Sequence, residues 1–202
     1  MNPWYYSVRG LAHLFLKASC GIAYEGREHV PAKGGLLVVA NHISFLDPPM
    51  AACAMPREIH FLARKTLFKK NGFGAAISSL NAIPIDQDRP DMNGLRTIIK
   101  RLKGGEAVLL FPEGERTWDG KLKAPAPGAG LVACKAGVPI LPIRLFGSYE
   151  ALPRGGKKFT RHPLRVVIGE PFRPPFEELA KQGKGAYDQV SRLMMEKIAE
   201  LS

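Results

Sequence analysis

The chain has 202 residues, of which 46% are hydrophobic and 23% charged, and this composition excludes a disordered or fibrous protein. The 29 lysines and arginines exceed the 18 aspartates and glutamates, and the net charge of +11 predicts an anionic partner: nucleic acid, a membrane surface or a phosphorylated substrate. The three cysteines lie far apart in the sequence, so neither a disulfide framework nor a structural metal site is predicted.

The N-terminal segment, residues 1–24, has the pattern of an amphipathic helix. At about 100° per residue, the apolar side chains that share one arc are Trp4, Val8, Leu11 and Phe15. The basic side chains that lie opposite are Arg9, His13 and Lys17. Because these basic residues interrupt the apolar run, we expect neither a membrane-spanning helix nor a signal peptide. The pattern fits both a helix in a membrane interface and a helix packed on the core of the domain.

Further along the chain, short apolar runs alternate with helical patterns. Strands are predicted at residues 35–40, 59–63, 82–85, 107–111, 138–145 and 164–168. Helices are predicted at residues 65–80, with a break near Asn71-Gly72, and at 92–102, 130–136 and 187–201. Asp47, followed by Pro48, predicts the N-cap of another helix. Pro139 and Pro142 predict that the strand at 138–145 lies at an edge or bends beside a pocket.

Continuous apolar strands separated by helices indicate the fold class. We expect residues 25–202 to form a single α/β domain with a largely parallel central sheet flanked by helices. The N-terminal amphipathic helix would precede this domain. Because ligands in such sheets bind where the strands end, the residues that follow each strand are the candidates for a site.

The first strand is followed by residues 41–47 (NHISFLD). Across a turn, the Asp47 carboxylate can accept one imidazole N–H of His42 and leave the other ring nitrogen free to take a proton. The spacing alone also fits a strand-end histidine beside an N-cap aspartate. Ser44 is not predicted to be a nucleophile, because no Gly-x-Ser-x-Gly elbow surrounds it.

Two other strand ends carry arginine. Residues 111–117 (FPEGERT) contain Gly114, which permits a turn, and Arg116, whose planar fork suits a phosphate. A polar turn with a solvated arginine is the alternative. Residues 83–89 (IPIDQDR) end with Arg89, which is a weaker indication by itself.

In order and spacing, these segments resemble the lysophosphatidic acid acyltransferase (1-acylglycerol-3-phosphate O-acyltransferase) family of glycerolipid acyltransferases. The matching blocks lie at residues 41–47 (Asn-His-x4-Asp), 81–87, 111–116 (Phe-Pro-Glu-Gly-x-Arg) and 138–143. The sequence departs from the family pattern at Gln87, where arginine is usual and Arg89 is the candidate replacement, and at Glu115, where threonine is usual. Lys65 matches a lysine that the family often has between the first two blocks.

The resemblance implies a reaction and a set of roles. A fatty acyl group would pass from an acyl thioester to the free hydroxyl of 1-acyl-glycerol-3-phosphate (lysophosphatidic acid), which forms phosphatidic acid in phospholipid biosynthesis. His42 would act as the general base, and Asp47 would orient it. Arg116 would hold the substrate phosphate. The residues expected to complete or shape the phosphate site are Glu113, Gly114, Lys65 and Arg89. No metal or other cofactor is implied, since acyl-CoA or acyl-carrier protein enters as a co-substrate.

The implied partners are a lysophospholipid, an acyl thioester and an anionic membrane surface, with acyl-carrier protein as one candidate donor. The enzyme would lie on the cytoplasmic face of the cell membrane as a peripheral or interfacial protein. Residues 1–24 would then be the membrane-associating segment and residues 25–202 the acyltransferase domain. The basic residues considered for membrane contact are Lys69, Lys70, Arg154, Lys157, Lys158 and Arg161.

Three other functions stay open from the sequence. The acceptor could be glycerol-3-phosphate or an amino-acid lyso-lipid, or the His42–Asp47 pair could act on water in a thioester hydrolase. Nucleic-acid binding is not expected, because the basic residues are not interleaved with aromatic ones and no reader motif is present.

Overall fold

Within residues 2–69, 72–86, 91–180 and 183–202, which the computed structural model describes, the chain folds around one seven-stranded sheet. The strands are β1 (Ala23–Glu25), β2 (Leu36–Ala40), β3 (Ile59–Arg64), β4 (Ala82–Ile85), β5 (Ala107–Leu110), β6 (Ile140–Phe146) and β7 (Arg165–Ile168). The predictions made for Lys70, Asn71, Gln87 and Arg89 lie outside the described residues.

Helices cover both faces of the sheet. They are α1 (Pro3–Cys20), α2 (Asp47–Ala54), α3 (Lys65–Phe68), α4 (Phe73–Ser79), α5 (Met92–Lys103), α6 (Pro127–Ala136), α7 (Ser148–Ala151), α8 (Phe176–Ala180) and α9 (Lys184–Ala199). The strand order is β1-β7-β6-β2-β5-β3-β4. The five strands from β6 to β4 are parallel, while β7 runs antiparallel to β6 and parallel to β1. The predicted α/β domain with a largely parallel sheet is therefore confirmed.

Alternate residues of the central strand β2 enter two separate cores. Val38 and its neighbours two residues away face the core that α1 and α2 cover, whereas Leu37 and Val39 face the core under α5, α6 and α9. All five residues of β2 are fully buried. Since burying such a side chain contributes about 1.5–3 kcal/mol, the sheet holds the ends of its central strands firmly.

The helix α2 begins one residue earlier than the sequence predicts. Asp47 is its first residue and Leu46 its N-cap, so the prediction that Asp47 caps the helix is wrong. Pro48 and Pro49 have no N–H to donate to a capping carboxylate. The Asp47 side chain instead accepts the backbone N–H groups of the preceding loop.

The prediction that the proline-containing strand lies at an edge is also wrong. β6 lies between β2 and β7 in the sheet interior. Pro139 precedes the strand, and the Pro142 carbonyl accepts the N–H of Gly169, which lies just beyond the end of β7. Because Pro142 has no N–H, one hydrogen bond is missing, and it is missing at the end of the β6–β7 ladder rather than in its middle.

The amphipathic helix α1 presents two different apolar faces. Tyr5, Leu16 and Cys20 are buried against the domain, where α1 packs on α2. The large apolar side chains on its outer face are exposed: Trp4, Leu11, Leu14 and Phe15. The boundary at residue 24 between an anchoring segment and the catalytic domain stays a prediction. Among the described residues, no helix has the length and apolarity needed to cross a membrane.

Candidate active site

A histidine–aspartate pair lies at the end of the central strand β2. His42 Nδ1 is 2.8 Å from Asp47 Oδ2, and Asp47 is fully buried while His42 is partly exposed. The same carboxylate oxygen accepts the N–H groups of Ile43 and Ser44, each at 2.7 Å. A carboxylate only accepts hydrogen bonds, so the imidazole proton is on Nδ1 and Nε2 is left to take a proton.

The block at residues 111–117 makes three contacts with His42, one with its ring and two with its backbone. The ring of Phe111 stacks on the imidazole. Glu113 Oε1 accepts the backbone N–H of His42 at 2.8 Å, and Thr117 donates its N–H to the His42 carbonyl at 2.9 Å. Two blocks that are about 70 residues apart in the chain thus form one unit, because β2 and β5 are neighbours in the sheet.

Glu113 and Gly114 belong to this unit but do not line the cavity beside His42. Glu113 is buried and uses its second oxygen to accept the N–H of Lys123 at 3.1 Å. Burial raises the pKa of its carboxyl to about 7, against the opposing effect of the two N–H donors. Gly114 has φ +76°, which places it in the left-handed region where glycine is favoured. Both residues therefore stabilise the loop that carries Arg116, and a direct contact of either one with the substrate phosphate stays a prediction.

His42 lines a cavity of about 680 Å³ between α1, α2, β3 and α4. Much of its wall is apolar, with contributions from Val8, Ala52, Phe61, Leu67, Ile77 and Leu80. Four arginines also line it: Arg9, and three that lie close to one another, Arg64, Arg116 and Arg154. The arrangement combines a proton acceptor, an apolar space and a cluster of cations in one site.

Arg116 has the environment of an anion-binding residue. Its guanidinium carbon lies 3.4 Å from the centre of the Phe45 ring. Its Nη1 atom is buried and has no hydrogen-bond partner among the described residues. Burial lowers the pKa of Arg116 from its ordinary value, and the nearby charge of Arg154 adds to this effect, yet arginine keeps its proton in proteins. A buried guanidinium nitrogen without a partner is costly unless a ligand supplies the acceptor.

The structure does not bring Lys65 to this cluster. Its amine lies 2.7 Å from Asp91, at the start of α5, and it does not line the cavity. The neighbouring Arg64, the last residue of β3, lines the cavity instead. The sequence contains a signal for Arg64, because this residue directly follows the strand predicted at 59–63.

Arg154 was considered for membrane contact, but it lies in the wall of the cavity. It donates hydrogen bonds to Glu115, at 3.1 Å, and to the carbonyl of Arg116. Glu115 also contacts Lys123 at 2.5 Å, and these hydrogen bonds lower the pKa of its carboxyl. Apart from its charge, Arg154 gave no signal in the sequence. The bridge between Ser44 and Pro153 brings it to the site.

Ser44 is fully buried and donates its hydroxyl proton to the carbonyl of Leu152 at 2.6 Å. A hydroxyl committed in this way is not placed to attack a substrate.

A family model described as Acyltransferase matches residues 21–145. Over 182 residues the chain is 29% identical to the 1-acyl-sn-glycerol-3-phosphate acyltransferase of Bacillus subtilis, and this alignment covers 86% of this chain and 88% of that protein. It is 33% identical over 155 residues to a chloroplastic protein of the same name from Arabidopsis thaliana, over 75% of this chain and 43% of the relative.

Among solved structures, the chain resembles the 1-acyl-sn-glycerophosphate (LPA) acyltransferase PlsC from Thermotoga maritima. The TM-score is 0.79 at 27% sequence identity, over 97% of this chain and 80% of that chain. The chain therefore spans most of the two bacterial proteins but less than half of the chloroplast one.

Proposed function

The chain belongs to the acyltransferase family, as its four sequence blocks predict, and we propose that it acylates 1-acyl-glycerol-3-phosphate. The acyl group comes from an acyl thioester and the product is phosphatidic acid, in phospholipid biosynthesis. The relatives from Bacillus subtilis and Arabidopsis thaliana carry the name of this activity. The observation that carries the proposal is Arg116, which lines the same cavity as His42 and has a buried Nη1 with no hydrogen-bond partner among the described residues.

The proposed chemistry begins at Nε2 of His42. This atom takes the proton of the acceptor hydroxyl while the hydroxyl oxygen attacks the thioester carbonyl carbon. The carbon–sulfur bond then breaks, and the imidazolium gives this proton to the departing thiolate. Asp47 stabilises the imidazolium and keeps the ring in one tautomer. General-base help of this kind is worth about 10²–10⁴ in rate.

Direct transfer is the simplest scheme for this site. An acyl-enzyme intermediate would need a nucleophile, and the hydroxyl of Ser44 is buried and already bonded to Leu152. The acceptor itself supplies the attacking oxygen. The scheme requires a thioester donor, acyl-CoA or acyl-carrier protein, and no metal.

The arginine cluster fits the phosphate of the acceptor. Nη1 of Arg116 has no hydrogen-bond partner among the described residues, and Arg64 and Arg154 add positive charge to the lining of the same cavity. Guanidinium groups bind phosphate through paired, charge-assisted hydrogen bonds, and a held phosphate fixes the position of the hydroxyl relative to His42. The apolar remainder of the cavity fits an acyl chain, for which each buried methylene contributes about 0.8 kcal/mol.

The outer face of α1 fits a membrane surface. Its exposed apolar residues extend to Phe159, whose ring centre lies 5.7 Å from that of Phe15. Lys157 and Lys158, next to Phe159, are exposed and basic. Apolar insertion beside cations is typical of peripheral binding to anionic lipids, and the lysophospholipid resides there. We therefore propose that the enzyme is a peripheral membrane protein, on the cytoplasmic face that the family resemblance implies.

The substrate assignment is tested with the purified full chain and a panel of acceptors. The donor is either acyl-CoA or the acyl thioester of acyl-carrier protein. Each donor is combined with 1-acyl-glycerol-3-phosphate, glycerol-3-phosphate, an amino-acid lyso-lipid or no acceptor, and the products are measured by mass spectrometry. We expect phosphatidic acid as the main product. Fatty acid released at the same rate with and without acceptor would instead identify a hydrolase, and a faster reaction with another acceptor would overturn the assignment.

The role of Arg116 is tested in the same assay. Arg116→Ala should raise KM for the acceptor far more than KM for the donor, because only the proposed acceptor site loses its guanidinium. Arg116→Lys should recover part of the loss, since lysine keeps the charge but not the planar fork. Equal increases in both KM values would contradict a phosphate-binding role.

A further inference from the structure

We propose that Ser148 is a positioning residue for the reaction. It would hold the carboxylate of Asp47 in the orientation that accepts the Nδ1–H of His42. The inference rests on the proposed role of the His42–Asp47 pair as base and orienter. Ser148 lies beyond the last of the four sequence blocks, which ends at residue 143. It also lies three residues beyond the segment that the family model matches.

The hydrogen bonds to Asp47 are divided unevenly between its two oxygens. Oδ2 accepts three, from His42 Nδ1 and from two backbone N–H groups. Oδ1 accepts one among the described residues, from the hydroxyl of Ser148 at 2.7 Å. Both Asp47 and Ser148 are 0% exposed. Ser148 is therefore what fixes the second oxygen, and with it the plane of the carboxylate.

The fold brings Ser148 to this position through the strand next to β2. Asn41 accepts the N–H of Leu145 at 2.8 Å and donates to its carbonyl at 3.0 Å, which ties the end of β6 to the end of β2. Gly147 then turns the chain with φ +79°, where a Cβ would lie 2.0 Å from the carbonyl oxygen of Pro163. Only glycine fits this turn, and the turn directs the next residue toward Asp47.

A simple structural role for the hydroxyl, as a helix cap, does not fit the contacts. Ser148 is the first residue of α7, and the N-cap position belongs to Gly147, with no side-chain cap. A serine hydroxyl has a single proton to donate, and Ser148 donates it to Asp47. The contact is thus directed at the catalytic pair and not at the helix that follows.

Loss of this contact should reduce the rate and leave substrate binding nearly unchanged. A hydrogen bond to a charged, buried acceptor is among the stronger ones, so Ser148→Ala should lower kcat about tenfold to a hundredfold. Ser148 does not line the cavity, so both KM values should stay within about threefold of the wild type.

Ser148→Thr and Ser148→Cys separate the hydroxyl from the space it fills. Threonine keeps the donor and should restore most of kcat. Cysteine has nearly the shape of serine but donates weakly, so its kcat should lie between those of the wild type and Ser148→Ala. Wild-type kcat in both the alanine and the cysteine variant would overturn the proposal, and so would a threonine variant that folds but is no faster than alanine.

Ser191→Ala is the matched control. Ser191 is also buried, and its hydroxyl accepts the N–H of Gly130 and donates to the carbonyl of Ala126, in the core on the other face of the sheet. Its loss should lower the melting temperature without a comparable fall in kcat. If kcat falls in step with stability in both variants, the effect of Ser148 is structural and the proposal fails.

A double-mutant cycle with Asp47→Ala tests whether Ser148 acts through Asp47. Adding Ser148→Ala to Asp47→Ala should cause no further fall in kcat, whereas additive effects would overturn the proposal. The cycle also separates the two levels of the account. Wild-type kcat in Asp47→Ala would overturn the role of the pair itself, while a low kcat there with wild-type kcat in Ser148→Ala would overturn only the role of Ser148.

Discussion

The ring of Phe111 lies almost parallel to the imidazole of His42, with ring centres 3.8 Å apart and planes inclined by 12°. In the opposite direction, Phe45 from the His42 block lies under the guanidinium of Arg116 from the Phe111 block. Each block thus provides the aromatic ring that packs against the proposed functional side chain of the other. The proposed base and the proposed phosphate ligand are held as one unit across two neighbouring strands.

Phe111→Leu should lower kcat several-fold. Leucine fills much of the space but loses the stacking, and aromatic pairs of this kind contribute about 0.5–1.5 kcal/mol beyond the area they bury. The measurement is steady-state kcat for acyl transfer, with Phe111→Tyr as the control that keeps the ring. Equal kcat values for the leucine variant and the wild type would mean that the stack does not matter to the reaction.

Glu115→Gln should lower KM for the acceptor. The Glu115 carboxylate holds Arg154 and lines the same cavity, so it competes with a phosphate for that cation. The matched control is Glu106→Gln, because Glu106 forms an ion pair with Arg101 and contacts His60, and neither of these two residues lines the cavity. An acceptor KM that rises in Glu115→Gln would show that Glu115 instead supports the phosphate site by orienting Arg154.

Glu113 should make stability fall as the pH rises from about 4.5 to about 7. The carboxyl loses its proton near pH 4.5 in the unfolded chain, whereas burial raises its pKa to about 7 in the folded protein. Over this window the free energy of unfolding therefore decreases, by up to about 3 kcal/mol.

The comparison with Glu113→Gln isolates this contribution, because glutamine has no proton to lose. The free energy of unfolding of the wild type minus that of the variant should decrease between pH 4.5 and pH 7 and then level off. Denaturant unfolding at several pH values measures it. A difference that stays constant across the window would contradict the raised pKa.

Replacing Leu11 and Phe15 by serine should weaken binding to anionic vesicles without unfolding the domain. Both side chains are exposed on the outer face of α1, whereas deletion of the whole helix would remove Tyr5, Leu16 and Cys20 from the core. Vesicle sedimentation at low and high salt measures the binding, and salt should weaken it only in part. Met92→Ser, at an exposed apolar residue on α5, is the control. Unchanged binding in the double variant would remove α1 from the membrane contact.

The sequence predicts best what is local in the chain. The buried strands at 36–40 and 107–110 are continuous apolar runs, and the residues that follow each of them stand at strand ends, so the sequence names His42, Asp47 and Arg116 as candidates. The break in the helix at 65–80 was also found, since α3 and α4 are separate.

Features that depend on contacts between distant segments were not predictable. β1 has three residues and gains its strand geometry from pairing with β7, about 140 residues away. Ser148 has no local signal, because its significance comes from Asp47 on another strand end. The choice of Arg64 over Lys65 depends on which side chain turns toward the cavity, and Lys65 turns to Asp91 instead.

The most direct test of the central claim is the steady-state rate of phosphatidic acid formation by His42→Ala. If Nε2 of His42 takes the proton of the acceptor hydroxyl, kcat should fall by at least about a hundredfold, since general-base catalysis supplies about 10²–10⁴. The melting temperature should stay close to that of the wild type, because the side chain is partly exposed at the edge of the cavity. A variant that keeps more than about a tenth of the wild-type kcat would contradict His42 as the general base.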